Sequence, residues 1–266
     1  MRRRVWVRAA ALGLAAVGAV AGLTVYFSTE TVPRCLVSGA RTWKAPKDGV
    51  RHRYEVVMLT DDACFFDMDR KQKLVGALPL DRAGWLLAHL PRSSDTLHVT
   101  DQQQRVVYET KPGLLGFRVL ALQTGRPLYV TRYQGFTWNP RFGPDPPSHG
   151  LSLAPDRPEL WVLDAPNSVL HLFDVSSLPG APPVRLEDIR LSKPISGDES
   201  PCTAACARIG SLQHSADGRF VYVGDSGDVI DTDTRQAVAN LEALHNSRVQ
   251  LEVDWVDGRA VFPSRS

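Results

Sequence analysis

One stretch of about two dozen residues occurs twice in the chain and constrains its fold more than any other feature. Residues 215–238, SADGRFVYVGDSGDVIDTDTRQAV, contain short runs of β-branched and aromatic residues separated by turns rich in Gly and Asp. Such runs are typical of consecutive β-hairpins. Shifted by 164 positions, residues 54–76, YEVVMLTDDACFFDMDRKQKLVG, align with this stretch without a gap and bring Asp67 onto Asp231. The chain is therefore predicted to repeat one small antiparallel sheet.

The spacing of the copies predicts how the sheets are arranged. A shift of 164 positions divides into four steps of about 41 residues, and one blade of a β-propeller takes about 40–45. Weaker copies lie at 90–109, 117–133 and 149–175. A single sheet cannot bury two apolar faces, whereas sheets stacked around an axis can. We predict an all-β fold, a propeller of roughly five to seven four-stranded blades, some of them abbreviated. The hairpin at 248–262 would pair with an early strand to close the ring.

The strand ends carry a family resemblance, which rests on four tetrapeptides: Met58-Leu59-Thr60-Asp61, His98-Val99-Thr100-Asp101, Trp161-Val162-Leu163-Asp164 and Tyr222-Val223-Gly224-Asp225. With the turns before them, they resemble the YVTN β-propeller repeat of the YncE-like exported bacterial propellers. That group is related in fold to quinoprotein amine dehydrogenases and lactonase-type propellers. The resemblance covers roughly residues 54–260. It implies a fold rather than an activity, because one fold hosts many functions.

The N-terminus predicts export. Arg2, Arg3, Arg4 and Arg8 precede an uncharged run from Ala9 to Thr29, which is long enough to cross a bilayer as a helix with its positive flank in the cytoplasm. No small-residue cleavage site follows Phe27, which favours an uncleaved anchor over a signal peptide; a cleaved chain would be secreted. The predicted organisation is a signal anchor or signal peptide at 1–29, a linker and first strand at 30–53, and a propeller at 54–266 with insertion loops near 135–150 and 179–209.

Net charge and cysteine content limit the classes of partner and the cellular compartment that can be predicted. The net charge is only +2 and the basic residues are scattered, so a nucleic-acid partner is not predicted. Outside the cytosol the four cysteines could form disulfides. Cys202 and Cys206 lie four positions apart in a loop and are predicted to pair, with free thiols or a metal site as the alternatives. The pairing of Cys35 and Cys64 stays open.

Two motifs suggest chemistry and are better explained as turns. Gly224-Asp225-Ser226-Gly227 matches the string around a trypsin-like nucleophile, yet the repeat places it in a hairpin turn and no histidine has the required setting. Four neighbouring carboxylates, Asp225, Asp228, Asp231 and Asp233, could hold calcium. Aspartate is also common in turns because its side chain binds nearby backbone amides. We interpret both motifs as turn residues.

The candidate ligand-binding residues are His149 and His214, each of which precedes the Asp turn of its repeat. That position is on or next to the innermost strand, so both imidazoles could face a central channel and hold a metal ion or act as acid/base groups. A packed histidine is the ordinary alternative. Asp198 and Glu199, in the second insertion, could cover the same channel mouth. The cofactor is otherwise unknown.

Two functions follow. The leading hypothesis is an exported, membrane-anchored propeller that acts as a binding or protein-interaction module in the cell envelope. An envelope protein or a small-molecule ligand would bind near the 135–150 and 190–210 loops, and no catalytic residue is assigned. The alternative is a propeller enzyme, quinoprotein-like or lactonase-like, with His149 and His214 around a metal or small cofactor at the central channel.

Overall fold

The computed structural model of the chain describes residues 35, 41–90, 98–103, 105–137, 147–148, 150–192, 211–224, 226–245 and 249–263. This part is almost entirely β-structure, as predicted. The strands of its first half are β1 (His52–Met58), β2 (Asp62–Asp67), β3 (Lys73–Pro79), β4 (His98–Thr100), β5 (Val106–Glu109), β6 (Gly116–Ala121), β7 (Pro127–Arg132) and β8 (Leu151–Leu153). Those of its second half are β9 (Glu159–Asp164), β10 (Val169–Asp174), β11 (Val184–Arg190), β12 (Leu212–His214), β13 (Phe220–Val223), β14 (Asp228–Asp231), β15 (Gln236–Asn240), β16 (Gln250–Val256) and β17 (Arg259–Val261).

Helical structure is limited to short pieces in the described residues. A single-turn helix, α1 (Gly84–Leu87), follows β3, and two 3₁₀ turns cover Met68–Arg70 and Glu242–Leu244. No helix in the described ranges is long and apolar enough to cross a membrane. The predicted membrane segment, 1–29, lies outside these ranges.

The strands form four antiparallel sheets, which we call blades. Blade 1 has the order β16-β1-β2-β3 with β17 added beside β16; blades 2, 3 and 4 are β4–β7, β8–β11 and β12–β15. The first strand of blade 3 contacts the first strands of blades 2 and 4, which places these strands nearest the common axis. Because the strands alternate in direction, the turns after first and third strands lie at one end of the molecule, the turn end. The connections between blades lie at the opposite end. This arrangement is that of a β-propeller with four blades in the described residues, fewer than the five to seven predicted.

A shared irregularity shows that the blades are repeats. In every blade the register between third and fourth strands shifts near the turn end, at Phe65/Phe66, Val119/Leu120, Leu172/Phe173 and Val229/Ile230. The outer turn then contains a residue with positive φ in blades 1, 2 and 4: Lys71 (54°), Gly125 (63°) and Arg235 (57°). A bulge adds twist to a sheet, so each blade has the same bend before its outer turn.

The predicted spacing needs a correction. Tyr54, Val106, Glu159 and Phe220 begin equivalent second-to-third strand pairings, and they are 52, 53 and 61 residues apart. The 164-residue shift therefore spans three blade steps rather than four steps of about 41. The gapless alignment of the two sequence copies holds for the third strand and the outer turn of blades 1 and 4. The connection between second and third strands is two residues shorter in blade 4 than in blade 1. Tyr222 pairs with Val229, seven positions on, whereas the equivalent Val56 pairs with Phe65, nine positions on.

Both ends of the chain build blade 1. The C-terminal strand β16 pairs antiparallel with β1, with His52 opposite Trp255 and Val57 opposite Gln250. The predicted pairing of the terminal hairpin with an early strand is confirmed. This pairing supplies the first strand of the blade whose other three strands come from the N-terminal part of the chain.

The core lies between the blades. One buried cluster joins blades 2 and 3 through Phe117 and Phe173, a second joins blades 3 and 4 around Trp161 and Val221, and a third joins blades 4 and 1 around Tyr222. Alternate residues of a strand enter opposite clusters, as Val221 and Tyr222 do, because successive side chains point to opposite faces. Burying both faces of blades 3 and 4 in this way is the main apolar contribution to stability.

The remaining faces of blades 1 and 2 differ. In the described residues no apolar cluster joins these two blades. The free face of blade 1 is covered by its own flanking segments: Trp43 stacks on Phe65 with ring centroids 4.2 Å apart, and Trp85 and Phe262 pack around it. On the corresponding face of blade 2, Glu109 and Arg118 form an ion pair beside Val107 and Leu120.

The segment before β1 is fixed to the outer edge of blade 1. Trp43 N–H donates to the Ala77 carbonyl at 2.8 Å, and Ala77 N–H donates to the Arg41 carbonyl at 3.0 Å. Gly76 permits this approach, because a Cβ there would lie 2.6 Å from Trp43 Cα. Cys35 forms a disulfide with Cys64 of β2, which settles the pairing that the sequence left open. The predicted Cys202–Cys206 disulfide lies outside the described residues.

Candidate functional site

An open cleft of about 280 Å³ lies between blades 2 and 3 at the turn end. The turn after β4, the turn after β8 and the residues after β10 form it. Its lining residues are Asp101, Gln102, Gln103, Arg105, Tyr108, Leu153, Asp156, Arg157, Pro158, Val175 and Ser176. A concave site with apolar walls and a few polar groups is the usual form of a small-ligand site.

The blade 2 wall is organised by Asp101. Its buried carboxylate accepts the backbone N–H groups of Arg105 and Val106, the latter at 2.9 Å, and the Arg105 Nε–H at 3.0 Å. Arg105 in turn donates to Gln103 Oε1 at 3.1 Å. The aspartate therefore fixes the turn, and the guanidinium is held over the cleft with its charge neutralised.

The blade 3 wall is organised by Arg157, which also ties blade 3 to blade 4. Its guanidinium donates to Asp156 at 3.1 Å and to Asp233 of the β14–β15 turn at 3.1 Å. The hydrogen bond to Asp156 is the main reason that the pKa of Arg157 lies above its usual value. Across the cleft, Gln102 Nε2 donates to the Pro155 carbonyl at 2.7 Å. The two walls are thus connected, and both arginines have carboxylate partners.

The floor is apolar apart from one phenol. Tyr108 is only 1% exposed and lies beside Leu153 and Val175. Burial, reinforced by the Asp101 carboxylate, raises the pKa of Tyr108 well above 10, so its hydroxyl stays protonated. The described lining residues include no histidine or cysteine. The cleft offers hydrogen bonds from serine, glutamine and neutralised arginines, and this chemistry suits binding.

Of the sequence-predicted ligand residues, the structure describes only His214. It ends β12 and is 5% exposed between blades 3 and 4, where its Nδ1 lies 2.7 Å from Ser152 Oγ. The His214 N–H also donates to Ser152 Oγ at 3.2 Å, and the Trp161 ring packs edge-on against the imidazole at 5.5 Å. A ligand or metal role for His214 stays a prediction. His149, Asp198 and Glu199 lie outside the described residues, and none of the four predicted residues lines the cleft.

Within the described ranges, which leave out Asp225, the acidic turn residues bind backbone and side-chain donors. Asp231 accepts the N–H groups of Asp233 and Thr234, at 3.2 and 2.9 Å. Buried Asp228 accepts the Ser192 N–H at 2.7 Å and the Ser226 hydroxyl at 2.8 Å. Ser226 therefore serves the turn in the described structure. Within the described ranges, no three His, Cys, Asp or Glu side chains are placed to hold a metal.

One partly buried cluster of ionisable side chains was not recognised from the sequence. The His171 imidazole lies between Asp164 (Nε2 to Oδ2, 3.0 Å) and Asp188 (Nδ1 to Oδ1, 2.8 Å), with the Tyr133 ring 4.1 Å away. Arg185 pairs with Asp188 at 2.5 Å. Burial raises the pKa of Tyr133 well above 10. The cluster links the end of blade 2 to blade 3. Only the alternation of charged and apolar residues in 184–190 could have indicated it.

The cleft residues were also missed, because Asp101, Gln103 and Arg105 occupy a turn in the weakest sequence repeat. The cleft exists only because this turn contacts blade 3, more than fifty positions away, as in the Gln102–Pro155 hydrogen bond. A turn in isolation gives no sign of such a neighbour.

Comparison with solved structures finds only distant similarity. The Swd1 β-propeller domain from Myceliophteria thermophila is 12% identical with a TM-score of 0.37, over 72% of this chain and 55% of that one. The dihydro-heme d1 dehydrogenase NirN is 14% identical with a TM-score of 0.36, over 70% and 36%. A Lactobacillus plantarum protein is 15% identical with a TM-score of 0.36, over 69% and 50%. The chain thus spans little more than half of these structures at most.

Neither a protein-family model nor a curated protein matches the chain. The assignment of the four sheets as blades therefore depends on their own strand order, shared bulge and stacking.

Proposed function

We propose that this chain is an exported, membrane-anchored β-propeller of the YVTN-like kind that acts as a binding or protein-interaction module in the cell envelope. Its ligand or partner would bind at the turn end, in the cleft between blades 2 and 3. This differs from the sequence-based hypothesis, which favoured the loops at 135–150 and 190–210.

The observation that carries the proposal is the cleft itself. It is open, it lies where two blades meet, and its polar groups are held in place before any ligand arrives. Asp101 fixes Arg105, and Asp156 with Asp233 fixes Arg157. A site organised in advance loses less entropy on binding. Because both guanidinium charges are already balanced, we expect a ligand that hydrogen-bonds without a strong net charge.

Export has separate support. The Cys35–Cys64 disulfide is buried in the cluster between blades 4 and 1. Disulfides persist in oxidising compartments and are rare in the cytosol. The predicted anchor ends only six positions before Cys35, so the cross-link lies on the exported side of the proposed topology.

Site-specific photo-crosslinking in the native envelope tests the binding site. The chain offers a matched pair of positions in blade 2: Gln103 lines the cleft, and Gln123 is equally exposed in the outer turn. A benzophenone amino acid at position 103 should give a discrete adduct that position 123 does not. Ser176→Trp, which fills the cleft, should abolish the adduct. The same adducts from both positions, or an adduct insensitive to Ser176→Trp, would contradict the proposal.

Fractionation tests the topology. The full chain should remain with the membranes after alkaline carbonate extraction and should be cleaved by protease added to spheroplasts. Alkylation of Cys35 and Cys64 should require prior reduction. A chain protected from protease in spheroplasts and exposed only after lysis would be cytoplasmic, which would overturn the export part of the proposal.

A further inference from the structure

The outer turn of blade 1 presents three cationic side chains to solvent within four residues. Arg70, Lys71 and Lys73 are exposed, whereas Gln72 between them is buried and accepts the Tyr222 hydroxyl at 3.2 Å. At the start of the turn, Asp67 Oδ1 accepts the Asp69 N–H at 3.1 Å. The buried glutamine and the capping aspartate fix the backbone, so the cationic side chains all leave the same edge of the blade.

These charges lack partners that the equivalent turn of blade 4 has. Arg235 occupies the position of Lys71 and pairs with Glu187 at 2.7 Å and Glu159 at 3.0 Å. In the described residues, Lys71 and Lys73 make no ion pair, and Arg70 only reaches Asp67 at 3.6 Å. Within the described part of the chain, the charges of Lys71 and Lys73 are therefore not neutralised by an ion pair.

Further lysines lie on the segment fixed to the same blade. Of the six lysines in the chain, four are Lys44, Lys47, Lys71 and Lys73, and all four are exposed. The segment with Lys44 and Lys47 crosses the free face of blade 1 towards the turn end, where Trp255 Nε1 donates to the Pro46 carbonyl at 3.1 Å. Four of the six lysines of the chain thus lie on blade 1 or on the segment that packs against it.

The route of the chain brings this edge to the membrane. The predicted anchor ends at Thr29, six positions before Cys35, and an extended chain of that length spans at most about 20 Å. Cys35 is cross-linked to Cys64, three residues before the end of β2 and its basic turn. That interval in a strand is about 10 Å. A propeller so tethered would hold the edge of blade 1 against the bilayer.

We propose that Arg70, Lys71 and Lys73, together with Lys44 and Lys47, bind the anionic headgroups of the membrane to which the chain is anchored. Each basic residue near an anionic bilayer contributes about 1 kcal/mol, and the attraction extends over roughly a Debye length, about 8 Å at physiological salt. The contact orients the propeller. Blade 1 faces the lipid. The tethering argument rests on the proposed function, whereas the charge argument does not.

Lysine acetylation of the full chain in vesicles tests the proposal directly. The probes are vesicles of phosphatidylcholine alone and vesicles with half phosphatidylglycerol, and peptide mass spectrometry reads each lysine. In the anionic vesicles Lys71 and Lys73 should be acetylated at least about fivefold more slowly than in neutral ones, and 0.5 M NaCl should restore the rate. Exposed Lys111, at the other end of blade 2, is the internal control and should not change. Equal rates at Lys71 in both lipids overturn the proposal.

Variants distinguish lipid binding by the basic residues from attachment through the predicted membrane anchor. Lys71→Gln with Lys73→Gln should abolish the lipid-dependent protection of Lys44 and Lys47, whereas Lys111→Gln and Arg235→Gln should leave it intact. If the full chain fails to insert into neutral vesicles, the prediction of a membrane anchor is wrong. Flotation of the chain with the anionic vesicles then tests whether the basic surface binds lipid. Flotation that is lost in the double variant supports the lipid contact, and no flotation of the unmodified chain overturns it.

Discussion

The β2–β3 turn of blade 1 and the β14–β15 turn of blade 4 have the same backbone and opposite uses. Both begin with an aspartate that accepts the N–H two residues on, and both contain a long basic residue at positive φ, Lys71 or Arg235. In blade 4 this residue binds two glutamates of blade 3, and in blade 1 its counterpart faces solvent. The two turns share a backbone conformation because the blades are repeats. The residues of the adjacent blade determine whether the basic side chain forms an ion pair between blades or is left exposed to solvent.

The outer edges of the same two blades are also stabilised differently. Blade 1 is fixed by a disulfide and by the segment around Trp43, which pairs with β3. Blade 4 is fixed by ion pairs to blade 3. Covalent and apolar stabilisation should resist salt, whereas exposed ion pairs should not. The predictions below test this difference, beginning with the largest effect.

Removing the disulfide should affect blade 1 far more than blade 4. Replacing both Cys35 and Cys64 by alanine releases a 29-residue loop in the unfolded chain, which should lower the free energy of unfolding by about 3–4 kcal/mol. Hydrogen exchange, read by mass spectrometry, should show the greater loss of protection in β2 and β3. An equal loss in β14 and β15 would mean that the cross-link stabilises the whole propeller and not one edge.

A side chain at position 76, where the backbones of Gly76 and Trp43 approach closely, should destabilise the fold almost as much as loss of the disulfide. Gly76→Ala places a Cβ 2.6 Å from Trp43 Cα and should lower the free energy of unfolding by about 1–3 kcal/mol, because two backbones must separate. Gly84→Ala is the matched control, since nothing lies within 4 Å of the added methyl. It should be neutral or slightly stabilising in a helical turn. Urea denaturation followed by tryptophan fluorescence measures both, and similar losses would contradict the role of the Trp43 segment.

The next largest effect should be a difference in stability between variants of Arg235, which forms ion pairs, and of Lys71, which forms none in the described residues. Arg235→Gln should lower the free energy of unfolding by about 0.5–1 kcal/mol, and less in high salt, because the pairs with Glu159 and Glu187 are partly exposed. Lys71→Gln should change it by less than about 0.3 kcal/mol. The comparison fails if Lys71→Gln is the more destabilising of the two.

The smallest expected effect is a pH dependence confined to blade 4. His245 donates its Nε2–H to Asn240 Oδ1 at 2.9 Å and packs against Gly227, and burial lowers its pKa below 6.5. The unfolded chain titrates near 6.5 and so binds more protons in the interval below it. Stability should therefore fall as the pH drops through 6.5 towards the folded pKa. Denaturation at pH 7.5 and 5.5 should show a loss that His245→Gln reduces, with no change in the protection of β2.

Sequence reasoning reached the repeated sheet because its signals are local. Asp67 and Asp231 cap their turns through bonds to the next few residues, so a pattern in one stretch was enough. The pairing of β16 with β1 followed from an alternating terminal strand that needed a partner. The blade count was wrong because spacing was read as a single period, and connections of unequal length gave steps of 52, 53 and 61 residues.

The site could not be predicted in the same way. The cleft needs Gln102 beside Pro155, and the disulfide needs Cys35 beside Cys64; both depend on how blades and segments come together. His214 was identified as an inner-strand residue, yet its imidazole lies between two blades beside Ser152. Sequence alternation gives the two faces of a strand, but not which neighbour covers each face.

The pairing of β16 with β1 also determines when the molecule can be completed. Blades 2, 3 and 4 are continuous in the chain, so each can form as soon as its own residues have been synthesised. Blade 1 must wait with three strands until the last segment is synthesised, and until then β1 presents an unpaired edge. A chain that stops before residue 250 would leave that edge open, and we expect it to be a preferred substrate for chaperones and proteases.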